Sequence, residues 1–280
     1  MQPLERRARP LLGTLVKISL DAGNTGIFPA IFAPVEHVHH RMSAHLPDSD
    51  LAEIARMAHL APVTVDPATA EVIRLSLEWA EASGGAFDPV LAGVELVHTA
   101  RRPWFSETLP DRAATWRDLE VDGLQVRAAR PIALDLGGVA KGYAVDLAAE
   151  VISAHGRSGV VNAGGDLRFT GEVERSVFIK RPEAAGGLFE LRELPFPALA
   201  TTASYGFSET GGNFDLVDSL AGKPRAGEIS ITVFAATCAL ADAMTKAVLN
   251  LPENHSADLL KRLGCCALVL AADGSFREIS

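Results

Sequence analysis

The sequence predicts an α+β fold with mixed helices and a mainly antiparallel sheet. Three observations carry this: short stretches alternate apolar and polar residues, two Asp-Gly pairs sit between such stretches, and apolar stripes at helical spacing occur without a regular strand-helix-strand rhythm. With 280 residues, 48% of them hydrophobic, the chain has ample material for a core. It shows no internal repeat, low-complexity tract or clear linker, so residues 1–280 are expected to form a single unit.

The first strand is expected at residues 14 to 20, TLVKISL, where Val16, Ile18 and Leu20 alternate with Lys17 and Ser19. A helix follows in DPATAEVIRLSLEWAEASGG. Asp66 is its N-cap, Pro67 its first residue, Val72, Leu75 and Trp79 its apolar side, and Gly84 and Gly85 its stop. Asp122-Gly123 and Asp273-Gly274 read as hairpins with primed turns. Further strands are expected in SVFIKR, LFELREL and EISITVFA, and a helix begins near Ala140 with Ala144, Leu147, Ala148 and Val151 on one face.

Composition narrows the function. A net charge of −9 and the lack of any Lys/Arg run argue against nucleic acid as a partner. No segment approaches the roughly 20 apolar residues of a membrane span, and only MQPLERRARP precedes the first apolar segment. A cytoplasmic location is expected for the chain as given, and a periplasmic one if a leader has been removed. Cys238, Cys265 and Cys266 have neither zinc-site spacing nor the arithmetic of a disulfide framework, and read as free buried thiols.

Four segments could carry chemistry. In ALDLGGVAKGYAVD, Asp135 opens a glycine turn that brings backbone amides and Lys141 to a helix start, a place suited to anions, although the stretch is neither a P-loop nor GxGxxG. VVNAGGDLRFTG reads as a tight turn with close backbone approach. LATTASYG offers hydroxyls at Thr201, Thr202 and Ser204 beside Tyr205, which suit phosphate or ribose as well as they suit a polar loop. In TCALADAMTKAVLN, helical spacing puts Leu240, Met244, Ala247 and Val248 on a core face and Cys238, Asp242, Thr245, Lys246 and Leu249 on the other. Asp242 and Lys246 then form either an exposed i, i+4 pair or part of a cleft for Mg²⁺ or phosphate. His37, His39 and His40 read as solvated or packed, because His39 leaves the helical face shared by the other two. Phe87-Asp88-Pro89 reads as a structural turn, and Arg101 and Arg102 as facing water.

Taken in order, LLGTLVKISL, RMSAHLPDSDLAEIAR, GGAFDPV, DLGGVAKGYAVD, NAGGDL, LATTASYG, DLVDSLAGKP and SITVFAATCALADAMTKAV resemble the ApbE family, the FAD:protein FMN transferases. The resemblance implies an α+β fold that binds FAD and passes FMN to a Thr or Ser of a target protein with release of AMP, helped by a divalent metal such as Mg²⁺. By position it implies that Met42, Asp135 and Lys141 contact FAD, that the Gly138 carbonyl, Asp242 and Thr245 hold the metal, and that Asp242 and Asp215 serve catalysis. The dinucleotide is then expected between the Asp135 loop and the amino end of the Asp242 helix. An FAD pyrophosphatase giving FMN and AMP, or a non-catalytic flavin-binding protein, are the alternatives.

Three departures bear on those roles. Where the family usually reads His-Ile-Ile-Asp-Pro-x-Thr-Gly, this chain has DLVDSLAG, with Asp215 for the His, Ser219 for the Pro and Ala221 for the Thr. The family's Thr four residues after the metal carboxylate is Lys246 here, with Thr245 one place earlier. An ammonium repels Mg²⁺, so either Lys246 replaces part of the metal's charge or Thr245 shifts in as ligand. The TSGD that commonly precedes Tyr is Thr201, Thr202, Ala203 and Ser204.

Overall fold

The computed structural model describes residues 4–21, 23, 25–91, 109–173, 176–182, 185–203, 217–220, 223–224 and 228–280. Its frame is an antiparallel sheet of eight strands, in the spatial order β1 (Leu4–Leu11), β2 (Thr14–Asp21), β6 (Gly159–Ala163), β7 (Asp166–Thr170), β10 (Ala198–Ala203), β13 (Ile229–Ala235), β14 (Cys266–Ala271) and β15 (Phe276–Ile279). Strand β2 is the expected first alternating segment, and its Val16, Ile18 and Leu20 are buried. Three short strands, β3 (Val63–Thr64), β4 (Leu119–Asp122) and β5 (Gln125–Ala128), form a separate small sheet. Ribbons of β8 (Val177–Lys180) with β9 (Leu188–Leu191), and of β11 (Val217–Asp218) with β12 (Lys223–Pro224), complete the strands described.

Six α-helices lie among the described residues: α1 (Phe28–Arg41), α2 (Asp50–Met57), α3 (Pro67–Ala82), α4 (Ala140–Ala154), α5 (Cys238–Asn250) and α6 (Glu253–Leu263). Helix α3 starts as its sequence dictates, with Asp66 accepting the Ala68 amide and Pro67 at the first position. Val72 and Trp79 are buried, whereas Leu75 is only partly so.

Helix α5 lies against β10 and β13 on one side and α4 on the other. On the opposite face of the sheet, the β8–β9 ribbon covers Phe169, Leu199, Phe234, Leu268 and Leu270 with Val177 and Ile179. The central strands are thus buried on both faces, which is why Ser230 to Ala235 are buried without alternation.

Several expectations shift in detail. In the β4–β5 hairpin Asp122 pairs with Gln125, so the turn residues are Gly123, at φ +57°, and Leu124. Asp122 therefore ends the strand, one place from the expected turn. The β14–β15 hairpin is wider: the Gly274 amide bonds the Ala271 carbonyl at 3.1 Å and Gly274 takes φ +84°, the three-residue form in place of a primed two-residue turn. Thr201 and Thr202 belong to strand β10 and not to a loop. Their side chains point to opposite faces, Thr201 to Thr232 at 2.8 Å and Thr202 to Thr245 at 2.6 Å.

The bland readings of the histidines, cysteines and Phe87-Asp88-Pro89 hold. His37 pairs with Asp66 at 2.9 Å, and His39 accepts the Leu12 amide at 3.2 Å. All three cysteines are free, with Cys238 and Cys265 buried and Cys266 partly so. Burial pushes the Cys265 thiol up to about 12. Asp88 accepts the Val90, Leu91 and Trp116 amides and organises its turn. No described helix is long and apolar enough to cross a membrane. Ser204, Tyr205, Asp215, Arg101 and Arg102 lie outside the described residues.

Helices α4 and α5 meet at Gly142, where a side-chain carbon would stand 2.4 Å from the Cys238 carbonyl oxygen. The backbone contact leaves no room for a methyl group. Gly142→Ala is expected to lower the free energy of unfolding by about 1–3 kcal/mol through overpacking. Equilibrium denaturation measures it, and an unchanged midpoint would show that the helices do not approach this closely.

Candidate active site

The close approach at Gly142 sets the start of α5 beside α4, and Asp146, one turn further along α4, completes the junction. Its carboxylate accepts the Cys238 amide at 2.8 Å, the Ala239 amide at 2.9 Å and the Arg168 guanidinium at 2.7 Å. Thr237 accepts the Leu240 amide at 3.4 Å. The first-turn amides of α5 are therefore bound inside the protein and are not offered to a ligand. Burial pushes the Asp146 pKa up, while the two amides and Arg168 oppose it.

One turn into α5 stands Asp242. Helical spacing places it off the apolar stripe, and it does leave that stripe, yet it is 0% exposed because α4 and the sheet close over both sides of the helix. Lys141, on the first turn of α4, reaches its Oδ2 at 3.1 Å, and Lys246, one turn along α5, reaches its Oδ1. Lys246 also donates to the Asp242 carbonyl at 3.2 Å. Lys141 further bonds the Gly137 carbonyl at 2.8 Å and pairs with Asp166 at 3.1 Å.

Asp166 reaches this cluster through the VVNAGGDLRFTG segment. That segment is the turn its glycines predict: Ala163 pairs with Asp166 across Gly164, at φ +69°, and Gly165, at φ +108°. Asn162 accepts the Gly165 amide at 3.1 Å and fixes the turn. The turn hands its last residue, Asp166, to the lysine of the other glycine segment. Sequence reasoning missed Asp166 and Asp146. The available signal was that each is the acidic residue closing its quoted motif, NAGGD and AKGYAVD.

Two carboxylates and two ammoniums thus form a buried cluster that sums to zero charge when all are ionised. Burial alone raises a carboxyl pKa, but Lys141 and Lys246 outweigh it at Asp242 and hold that group below the usual range. At Asp166 burial, reinforced by repulsion from Asp242, wins over the lysines, and the pKa rises to about 6. Burial pulls the Lys141 pKa down, yet Asp166 and Asp242 more than compensate and raise it.

The other expected residues lie as follows. Asp135 accepts the Gly137 amide at 2.8 Å and shapes the loop that ends at Lys141. Gly138 lies beside Lys246, whose Cε would be 3.4 Å from an added side-chain carbon there. Thr245 is 0% exposed; its hydroxyl donates to the Asp242 carbonyl at 2.7 Å and meets Thr202 at 2.6 Å. Met42 follows α1, packed in the main core at 6% exposure, and takes no part in the cluster's hydrogen bonds or ion pairs.

The ordered motifs, the sheet and the meeting of the Asp135 loop with the Asp242 helix find one counterpart: a model of the ApbE family matches residues 12–269. The chain belongs to the ApbE family. As an ApbE protein it is 27% identical to the FAD:protein FMN transferase of Rhodobacter capsulatus over 95% of its own length, and spans 55% of that relative. It is 26% identical to the FAD:protein FMN transferase of Treponema pallidum, with 97% of this chain and 85% of the relative covered. Flavin Transferase ApbE from Vibrio cholerae has the same fold, with TM-score 0.81, 22% identity and coverage of 99% of this chain and 97% of that one. The ApbE protein from Thermotoga maritima also matches, at TM-score 0.81 and 23% identity over 98% and 96% of the two chains.

The metal that the ApbE resemblance implied on Gly138, Asp242 and Thr245 does not fit this donor set. Both Asp242 carboxylate oxygens are bound by ammonium groups, and the Thr245 hydroxyl is turned inward to Asp242 and Thr202. A divalent cation would leave the buried cluster with an uncompensated charge of about +2, a costly state. Among the described residues no group of three or more His, Cys, Asp or Glu is placed to hold a metal ion.

Two outcomes are expected. Asp146→Ala strips two amides and a guanidinium of a buried partner, and is expected to cost about 3–5 kcal/mol of stability in chemical denaturation. Asp166, raised on folding, contributes stability that is greatest below its unfolded value near 3.8 and is lost as pH rises through about 6. Carbon NMR of labelled aspartates should find a carboxyl with a midpoint near 6 that vanishes in Asp166→Asn, and a midpoint near 4 would contradict the assignment.

Proposed function

We propose that the chain is an FAD:protein FMN transferase, acting as one unit over residues 1–280. The observation that carries this reading is the meeting of the Asp135 loop and the Asp242 helix, where the partly exposed Lys246 ammonium, paired with one carboxylate, would face a pyrophosphate. The names carried by the Rhodobacter capsulatus and Treponema pallidum relatives support the same reaction.

In this reading a Thr or Ser hydroxyl of a target protein attacks the phosphorus of the FMN half of FAD. The new P–O bond joins FMN to the protein as a phosphoester. The bond from that phosphorus to the bridging oxygen breaks, and AMP departs with that oxygen and both electrons. The hydroxyl proton passes to Asp215, which stands where the family has His, and from there to water. An unperturbed aspartate is a weak base at neutral pH, so transfer is expected to be slow and to depend on how well Asp215 is placed. Stabilisation of charge on the pyrophosphate and in-line placement of the hydroxyl supply most of the acceleration, since phosphoryl transfer needs little covalent help from the protein.

The test is incubation of the purified chain with FAD and a flavin-accepting domain, following AMP and the domain's mass. AMP release with a mass gain of one FMN is expected. AMP without that gain would assign hydrolysis, and FAD held without AMP a binding role. Asp215→Ala is expected to lower transfer about 100-fold or more while leaving FAD binding intact. An unchanged rate would remove Asp215 as base.

A further inference from the structure

An ammonium group has three N–H donors. Lys141 donates to Gly137 and Asp242 and pairs with Asp166 at 3.1 Å, so its charge is engaged by two buried carboxylates. Lys246 spends two, on the carbonyl and Oδ1 of Asp242, and makes no other polar contact with the described residues. Its side chain is 24% exposed, whereas that of Asp242 is 1% exposed. Its stem runs past Gly138, where anything larger than hydrogen would be in tight contact with Lys246 Cε and the Phe87 ring, both at 3.4 Å. The Lys141 side chain is as exposed, at 25%, but it is paired with two carboxylates, whereas Lys246 is paired with one and keeps a donor unused among the described residues.

We infer that Lys246 supplies, as a fixed ammonium, the positive charge for which a metal would otherwise be needed, making this site independent of divalent cations. Its third N–H points a charge-assisted hydrogen bond at a phosphate oxygen of the bound dinucleotide. The inference rests on the FAD reading for the identity of the ligand, but the exclusion of metal stands on the occupied donors alone. Lys246 touches the pyrophosphate as AMP leaves, and no proton is transferred from it. Substituting a hydroxyl for it removes one positive charge, frees Asp242 Oδ1 and opens the space beside Gly138, which together convert the cluster into a cation site.

The first arm is read without FAD. The chelator-treated chain is titrated with Mn²⁺ and free metal is followed by electron paramagnetic resonance. The wild-type chain is expected to bind no Mn²⁺ up to millimolar metal, and Lys246→Thr, shown to be folded by its thermal transition, to gain one site that Asp242→Asn removes. Wild-type binding abolished by Asp242→Asn would overturn the inference, and so would a folded Lys246→Thr chain that gains no site. In the second arm FAD binding is measured in EDTA and in Mg²⁺. Equal wild-type affinity in both is expected, with about tenfold or greater weakening in Lys246→Met that Mg²⁺ does not restore. Wild-type affinity that collapses in EDTA, or Lys246→Met that binds as tightly as wild type, would overturn it. Failure of the wild-type chain to bind FAD under either condition would overturn the FAD reading and with it the phosphate contact, leaving the Mn²⁺ result to decide the metal question separately.

Discussion

A carboxylate with no exposed surface has to be neutralised by its neighbours, and in this protein Asp242 is neutralised by two lysines. Lys141 comes from the start of α4 and Lys246 from α5 itself. The segments that look most like a ligand loop in the sequence are organised around this requirement. The Asp135 turn sets the approach of Lys141, the Gly164-Gly165 turn delivers Asp166 to the same ammonium, and Gly142 lets α4 come close enough to α5 for the span to be bridged. Asp146 performs the matching task at the helix start, where it takes the amides that would otherwise attract an anion.

The division of labour between the lysines follows from their partners. Lys141, paired with two buried carboxylates, is a structural charge. Lys246 is paired with one and, among the described residues, has a donor to spare. Where the resemblance implied a hydroxyl, this chain carries a group with its own charge. A fixed ammonium offers less charge than a divalent ion, but it is already in place before substrate arrives and costs no metal recruitment.

Much of the fold was legible in the sequence. Period-two alternation found β2, the strands expected in SVFIKR, LFELREL and EISITVFA are β8, β9 and β13, and capping chemistry found α3 at Asp66 and Pro67. What failed did so for tertiary reasons. Of the two readings of Asp242 and Lys246, the exposed pair fails, because α4 and the sheet enclose the helix and bury Asp242 and Thr245 with the apolar stripe. Thr201 and Thr202 looked like a loop because hydroxyl runs are common there, but they lie in a strand covered on both faces. Both hairpin turns were found and both were misplaced in detail, since Asp-Gly identifies a turn more firmly than its register.

The candidate site was half legible. Asp135, Lys141, Gly138, Asp242 and Thr245 all lie in the Asp135 loop or along α4 and α5, as their order in the motifs suggests. Asp166 and Asp146 stood in quoted motifs, but only the folded chain brings each to its partner, Asp166 to Lys141 and Asp146 to the start of α5. Met42 is packed in the core, and Asp215 falls outside the described residues.

The most direct measurement of the central claim is a double-mutant cycle on stability with Lys141→Met and Asp242→Asn. If the buried pair is held by mutual neutralisation, each single change strands a charge and costs about 3–5 kcal/mol, and the double variant is less destabilised than the sum of the two. Strictly additive losses would contradict it, because they would mean that the lysine and the carboxylate do not depend on one another.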